Sequence, residues 1–254
     1  MIRVKRIARI WRCADGRGAA MAGTKAVLFD LFETLISEYA DGVRKVDRAN
    51  RSDAARLGLE HDAYRREWGA RREGRMTGAF PDYFAVMRDI LHSQNAAPDE
   101  TVLQAMYEER LREKAAAFRG NDPEVVDMLR ELKRAGLRLG LVSNCTEEEV
   151  RAWENSELAE WFDDVVFSYR VGCAKPDPAI YGLACERLEV RPGDCLFVGD
   201  GGSDELNGAA RAGMTARRAV WYLPQAMRER DFGYPQLVRP MEVVRVALGG
   251  EGLS

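Results

Sequence analysis

The chain has 254 residues, 46% apolar and 31% charged, enough for a full core and ordinary for a water-soluble globular protein. A net charge of -3 argues against nucleic acid as the main partner, and no run of about 18 apolar residues predicts a membrane span. Five cysteines (Cys13, Cys145, Cys173, Cys185, Cys195) form no CxxC pair, and their odd number suits reduced thiols in a cytoplasm.

The first twenty residues carry six basic side chains and one acid. Residues 1–22 are expected to be a poorly ordered basic extension, with Met21 as a sensible alternative start and the fold independent of what precedes it. Val27-Leu28-Phe29-Asp30 then reads as a buried strand ending on a carboxylate. Residues 41–118 hold no convincing strand. They read as helices over 41–59, 61–74, 81–94 and 98–118, with Pro81 and Pro98 in first-turn positions. A strand-helix rhythm follows. A helix begins at Asp122 and stops at Gly136, and LRLGLVSN is a strand. TEEEVRAWENS is helical and DVVFS is a strand. DPAIYGLACERL is a helix, DCLFVGD a strand, SDELNGAARAG a helix and TARRAVWY a strand. This order predicts parallel βα units, hence an α/β fold with a doubly wound parallel sheet. The expected division is a core of residues 23–38 and 119–254, interrupted by an α-helical cap of residues 39–118.

Ligands of open parallel sheets bind outside the carboxyl ends of the strands. The first strand ends in Asp30, with Thr34 nearby. The second ends in Ser143-Asn144. Lys175 follows the third, and Asp200 and Asp204 follow the fourth. Singly, each has a plain reading: Asp30 as a cap or turn residue, Ser143-Asn144 as a helix cap, Lys175 as a solvated lysine, and GDGGSDEL as a turn into an N-cap. Four such groups at successive strand ends are hard to explain as caps.

In that order the chain resembles the haloacid dehalogenase-like (HAD) hydrolase superfamily, in the subfamily with a type-1 helical cap. The first motif, DxDxT, is matched by Asp30-Leu31-Phe32-Glu33-Thr34. The second is matched by Ser143, the third by Lys175 and the fourth by Gly199-Asp200 through Asp204. The resemblance covers residues 25–220 and implies a Rossmann-like core. It makes Asp30 the nucleophile of a covalent aspartyl intermediate, with Lys175 beside it. Thr34, Ser143, Asn144 and Lys175 would bind an anionic small-molecule substrate. Mg²⁺ would be held by Asp30, the backbone carbonyl of Phe32, Asp200 and, through a water, Asp204. The chain would act as a monomer or homodimer.

Phe32 departs from the pattern. HAD phosphatases carry there an Asp that protonates the leaving oxygen, help that typically contributes about 10² to 10⁴ in rate. Three readings follow. One is a Mg²⁺-dependent phosphohydrolase of a small phosphorylated metabolite that manages without the second Asp. The second is a metal-free 2-haloacid dehalogenase, a branch with an aromatic residue at this place because a halide leaves without a proton. The third is a weakly active or non-catalytic HAD fold used for binding. The acids of the fourth motif favour the first. Arg44, Arg48 and Arg51 are expected on one helix face, and Trp68, Tyr83 and Phe84 in the core of the cap.

Overall fold

A computed structural model describes residues 23–40, 42–49 and 51–249. The basic extension and Cys13 lie outside these residues. In chain order the strands are β1 (Ala26–Phe29), the short antiparallel pair β2 (Tyr39–Ala40) and β3 (Val43–Arg44), β4 (Arg138–Ser143), β5 (Asp164–Phe167), β6 (Cys195–Gly199), β7 (Thr215–Ala219) and β8 (Gln236–Leu237). Six of them form one parallel sheet in the spatial order β5-β4-β1-β6-β7-β8. β1 lies between the two halves: the chain builds outward to β5 on one side, then returns to begin again at β6 on the other. Its carboxyl end is the switch point where such sheets open a crevice.

All four residues of β1 are buried. Val27 and Phe29 enter one apolar layer, Ala26 and Leu28 the other, the period-2 alternation of a strand covered on both faces. Fully burying a side chain such as Phe29 is worth about 1.5–3 kcal/mol.

Between β1 and β4 run α1 (Asp53–Arg56), α2 (His61–Ala70), α3 (Arg72–Met76), α4 (Tyr83–Ser93), α5 (Glu100–Ala116) and α6 (Pro123–Arg134); after β5 come α7 (Ser168–Val171), α8 (Pro178–Arg187), α9 (Glu205–Arg211), α10 (Gln225–Arg228) and α11 (Met241–Ala247). α6 and α11 pack on one face of the sheet, α8 and α9 on the other. α6 and α8 start as their Asp-Pro pairs predict. Asp122 and Asp177 accept from the backbone N–H groups of Glu124 and Ala179, with Pro123 and Pro178 in the first turn. The insert has a hydrophobic cluster of its own around Tyr83, Met87, Leu91, Leu103 and Met106, with Trp68 and Phe84 against it.

Three expectations are corrected. Residues 41–59 are not one helix. Gly42 and Gly58 sit at φ of +77° and +66°, the β2–β3 pair occupies the start, and only α1 is helical. Arg44, Arg48 and Arg51 therefore form no helix face, and all three converge on the buried Glu113 of α5. Pro81 and Pro98 stand one residue before the N-caps Asp82 and Asp99, outside the first turn. TEEEVRAWENS is a series of turns with one 3₁₀ turn at Trp153–Asn155. Its acids are drawn to α5 instead, so tertiary ion pairs override helix propensity. β8 and α11 had no expectation in the sequence.

Gly208 fixes how closely α9 approaches the loop before α8. A Cβ there would lie 2.9 Å from both the Cα and the carbonyl oxygen of Pro176, and 2.6 Å from the Tyr181 hydroxyl. Gly208→Ala is expected to destabilise the fold by about 1–3 kcal/mol, as overpacking does, and to displace the segment that carries Lys175. Chemical denaturation measures the first effect. An unchanged midpoint would show that the loop moves without strain.

Candidate active site

Asp30 stands one residue past β1, 7% exposed, with its N–H donating to the Val198 carbonyl at 2.9 Å. The buried Lys175 ammonium pairs with its carboxylate and also with Glu205, at 2.5 Å from Oε2. Asp200 completes the group: carboxylate oxygens of Asp30, Asp200 and Glu205 all lie within 4.8 Å of one another.

Each member is positioned by its backbone. Asn144 receives the Lys175 N–H on Oδ1 and donates from Nδ2 to the Lys175 carbonyl, both at 2.8 Å. Its amide thus holds the backbone of Lys175. Asp200 accepts from the Gly202 N–H at 2.8 Å, and its carbonyl receives Nε of the fully buried Arg218 at 3.1 Å. Arg218 also donates to the carbonyls of Met227 and Arg230, both at 2.7 Å, tying the Asp200 loop to the chain after β7. Gly199 leaves the space that the Glu205 carboxylate fills, for a Cβ there would lie 2.2 Å from Glu205 Oε1.

Glu205 was not foreseen, and Asp204 was expected in its place. Ser203 and Asp204 both adopt left-handed backbone, at φ of 54° and 55°. This turn swings Asp204 outward, to Asn207 at 2.5 Å and Arg211 at 3.5 Å, with half its side chain exposed. Glu205, the first residue of α9, turns inward. Helical phase offers no signal here, because Asp204 and Glu205 stand four and three residues before Gly208 and both positions share its face.

Thr34 and Ser143 both reach the carboxyl-end rim, and their hydroxyl oxygens are buried without a partner. The Thr34 carbonyl is held by the Trp221 indole at 2.9 Å. The turn after β1 closes on Glu33 N–H to Ile36 carbonyl at 2.7 Å and on the Leu31 carbonyl, leaving the Phe32 carbonyl unused by it. The Phe32 ring packs at the edge of the core, with the Lys114 ammonium 5.5 Å from its centroid. Glu33 takes up its own turn, accepting from the Ser37 hydroxyl at 2.7 Å and the Glu38 N–H at 3.1 Å.

Electrostatics follow from burial. Burial raises the Asp30 pKa, while Lys175 pulls it back and Asp200 adds to the rise. Burial and the neighbouring Asp30 push Glu205 up to about 8. Lys175 is held protonated by Asp30 and Glu205 against the pull of burial. Three carboxylates face one ammonium, so full ionisation leaves an excess of negative charge that a divalent cation would balance. The donors are all hard oxygens, and Asp200 opens the set toward solvent. This set fits Mg²⁺.

The model of the haloacid dehalogenase-like hydrolases matches residues 24–213. The chain belongs to that family. It is thus an enzyme, a hydrolase of the HAD superfamily. It is 28% identical over 242 residues to a glyceraldehyde 3-phosphate phosphatase of Methanopyrus kandleri, covering 87% of this chain and 96% of that one. It is 35% identical over 97 residues to (S)-2-haloacid dehalogenase 1 of a Pseudomonas species, covering 38% and 42%. In structure it is similar to the L-2-haloacid dehalogenase of Xanthobacter autotrophicus. That likeness, with a TM-score of 0.60 and 23% identity over 90% of this chain and 100% of that one, is one of fold. Among the described residues, no helix of this HAD hydrolase is long and apolar enough to cross a membrane.

The insert is fastened to the core beside the site. Arg110 of α5 donates to Glu148 at 2.8 Å and Glu149 at 3.1 Å, and Lys114 pairs with Glu38 at 2.7 Å and Glu149 at 3.1 Å. Burial opposes ionisation of Glu149, but Lys114 and Arg110 overcome it and hold the carboxyl at about 2, below its ordinary 4.5. A depressed carboxyl pKa contributes stability that is complete above the unfolded value and is lost as pH falls toward the folded one. The melting temperature of the HAD hydrolase should therefore drop on acidification from 4.5 toward 2. Glu149→Gln should start lower and drop less steeply. Parallel curves for the two proteins would remove Glu149 from that role.

Glu205→Gln and Asp204→Asn separate the two acids. Added Mg²⁺ should raise the melting temperature of the parent and of Asp204→Asn alike, and that of Glu205→Gln several-fold less. The reverse order would return the ligand role to Asp204.

Proposed function

We propose that this HAD hydrolase is a Mg²⁺-dependent phosphohydrolase of a small phosphorylated metabolite, acting through an aspartyl-phosphate at Asp30. The observation that carries this reading is the convergence of Asp30, Asp200 and Glu205, all oxygen donors within 4.8 Å. A metal-free displacement has no use for three mutually repelling acids. The full-length similarity to a phosphatase supports the same reading. We also propose that residues 39–118 cap the sheet rim, that the enzyme works as a monomer or homodimer, and that it resides in the cytoplasm.

Asp30, Asp200 and Glu205 would hold the cation, with the Phe32 carbonyl free to join them. Bound Mg²⁺ would neutralise phosphoryl charge as the anionic nucleophile approaches. Asp30 attacks phosphorus, a new P–O bond forms to its carboxylate, and the bond to the leaving oxygen breaks. Lys175 favours the ionised form of Asp30 against burial and is placed to offset charge on the phosphoryl oxygens, for which the Ser143 hydroxyl is a free donor. Water then opens the aspartyl-phosphate and restores the carboxylate.

The dehalogenase reading keeps one specific support. The Phe32 ring offers no proton, and a halide needs none. Asp30→Asn is expected to lower any turnover by at least about a hundredfold with little change in fold. The chemistry is decided by plotting kcat/KM against leaving-group pKa. With no donor at Phe32 the rate should fall steeply, so aryl and acyl phosphates exceed alkyl phosphates. Phe32→Asp should raise alkyl phosphate turnover by up to about 10² and leave aryl phosphates little changed, at saturating Mg²⁺. Halide release from 2-haloacids with the metal chelated would overturn the phosphohydrolase.

A further inference from the structure

Between Asp200 and Glu205 the chain makes an uncommon turn. Gly201, Ser203 and Asp204 stand at φ of +99°, +54° and +55°. Left-handed backbone is disfavoured in residues other than glycine, and two in succession persist only where the surroundings hold them. Inside the turn the Gly201 and Gly202 N–H groups reach the carboxylates of Glu205 and Asp200, at 3.1 Å and 2.8 Å. These bonds tie the two acids to the turn. They do not fix the turn to the rest of the fold.

That hold comes from residues 218–234. Arg218 on β7 is fully buried and donates to backbone carbonyls alone: from Nε to Asp200 at 3.1 Å, and from its terminal nitrogens to Met227 and Arg230 at 2.7 Å each. Among the described residues no carboxylate pairs with it. Its guanidinium lies 4.0 Å from the Phe232 ring centroid. The edge of that ring packs on Gly201, where a Cβ would come within 3.0 Å of it. The Tyr234 hydroxyl donates to Asn207 Oδ1 at 2.8 Å, and Asn207 Nδ2 donates to Asp204 at 2.5 Å. One segment thus meets the turn at Asp200, at Gly201 and, through Asn207, at Asp204. Burying a charge without an ion partner is costly, and a planar guanidinium fixes the directions of its donors. Here those donors place backbone and do no other work.

We propose that Arg218, Phe232 and Tyr234 are positioning residues for Mg²⁺, clamping the left-handed turn so that Asp200 and Glu205 stand at ligand spacing before the ion arrives. The proposal rests on the Mg²⁺ site of the phosphohydrolase reading. None of the three is a ligand. Donors that are already in place lose less binding free energy to being ordered. The link from Tyr234 through Asn207 also keeps Asp204 turned outward, which leaves the inward place to Glu205.

The test is calorimetric titration of Mg²⁺ alone into the full chain and its variants, with no substrate present. Groups that orient a metal's ligands typically change its affinity by about 10- to 100-fold. Arg218→Met should weaken Mg²⁺ binding by at least about tenfold. Arg218→Lys should weaken it nearly as much, because a lysine keeps the charge but has no fork to join Asp200 to Met227. Tyr234→Phe removes a single hydroxyl and should fold like the parent; it and Phe232→Leu should each weaken Mg²⁺ severalfold. Kinetics then separate positioning from support of the fold. The Mg²⁺ concentration giving half-maximal rate should rise with the dissociation constant, while kcat at saturating Mg²⁺ falls much less. A residue that only supports the fold lowers the active fraction, and so kcat, at unchanged Mg²⁺ affinity; that pattern in Arg218→Met would overturn the proposal. So would parental affinity in both Tyr234→Phe and Phe232→Leu, which decide the matter if neither Arg218 variant folds. No Mg²⁺ binding by the parent would instead remove the phosphohydrolase reading, and the proposal with it.

Discussion

The buried ammonium of Lys175 is the charge on which the site depends. Removing an ion from water costs several kcal/mol, and three acids brought together near the sheet rim would repel one another as well. Lys175 bridges two of them, Asp30 and Glu205, and lets the third, Asp200, face outward. Its own place is set twice: Asn144 holds its backbone, and close packing of Gly208 on Pro176 holds the loop. The geometry of this cluster is therefore a property of how α9 and the segment before α8 fit together, and not of the strand ends alone.

The same loop economy recurs at the seam with the insert. The stretch from the end of β4 carries Ser143, whose hydroxyl is unpartnered, Asn144, which holds Lys175, Thr146, which lines a cavity at this seam, and Glu148 and Glu149, which pair with α5. One short stretch of chain thus joins the carboxyl-end rim, Lys175 and the insert. A helix there would have spread these side chains around an axis, and the ion pairs to Arg110 and Lys114 hold the segment out of that form.

The core was largely legible because its signals are local. Continuous apolar runs gave buried parallel strands, and Asp-Pro pairs gave the starts of α6 and α8. The strand-helix order alone brings Asp30, Ser143, Lys175 and Asp200 to one rim of the sheet. What failed was decided at a distance or by handedness. Arg44, Arg48 and Arg51 look like a helix face until Glu113, far along the chain, draws them together. Asp204 and Glu205 are adjacent acids, and only two left-handed residues decide which one faces the site.

The match to the family model ends at residue 213, yet the site does not. Arg218 on β7 is buried completely, and its guanidinium joins the carbonyl of Asp200 to those of Met227 and Arg230. Trp221, just beyond, holds the carbonyl of Thr34. The last part of the described chain thus acts as a splint for two loops that it does not itself contain. A fragment cut at the family boundary would keep every acid of the site and the lysine between them. It would lack the brace that keeps them facing one another.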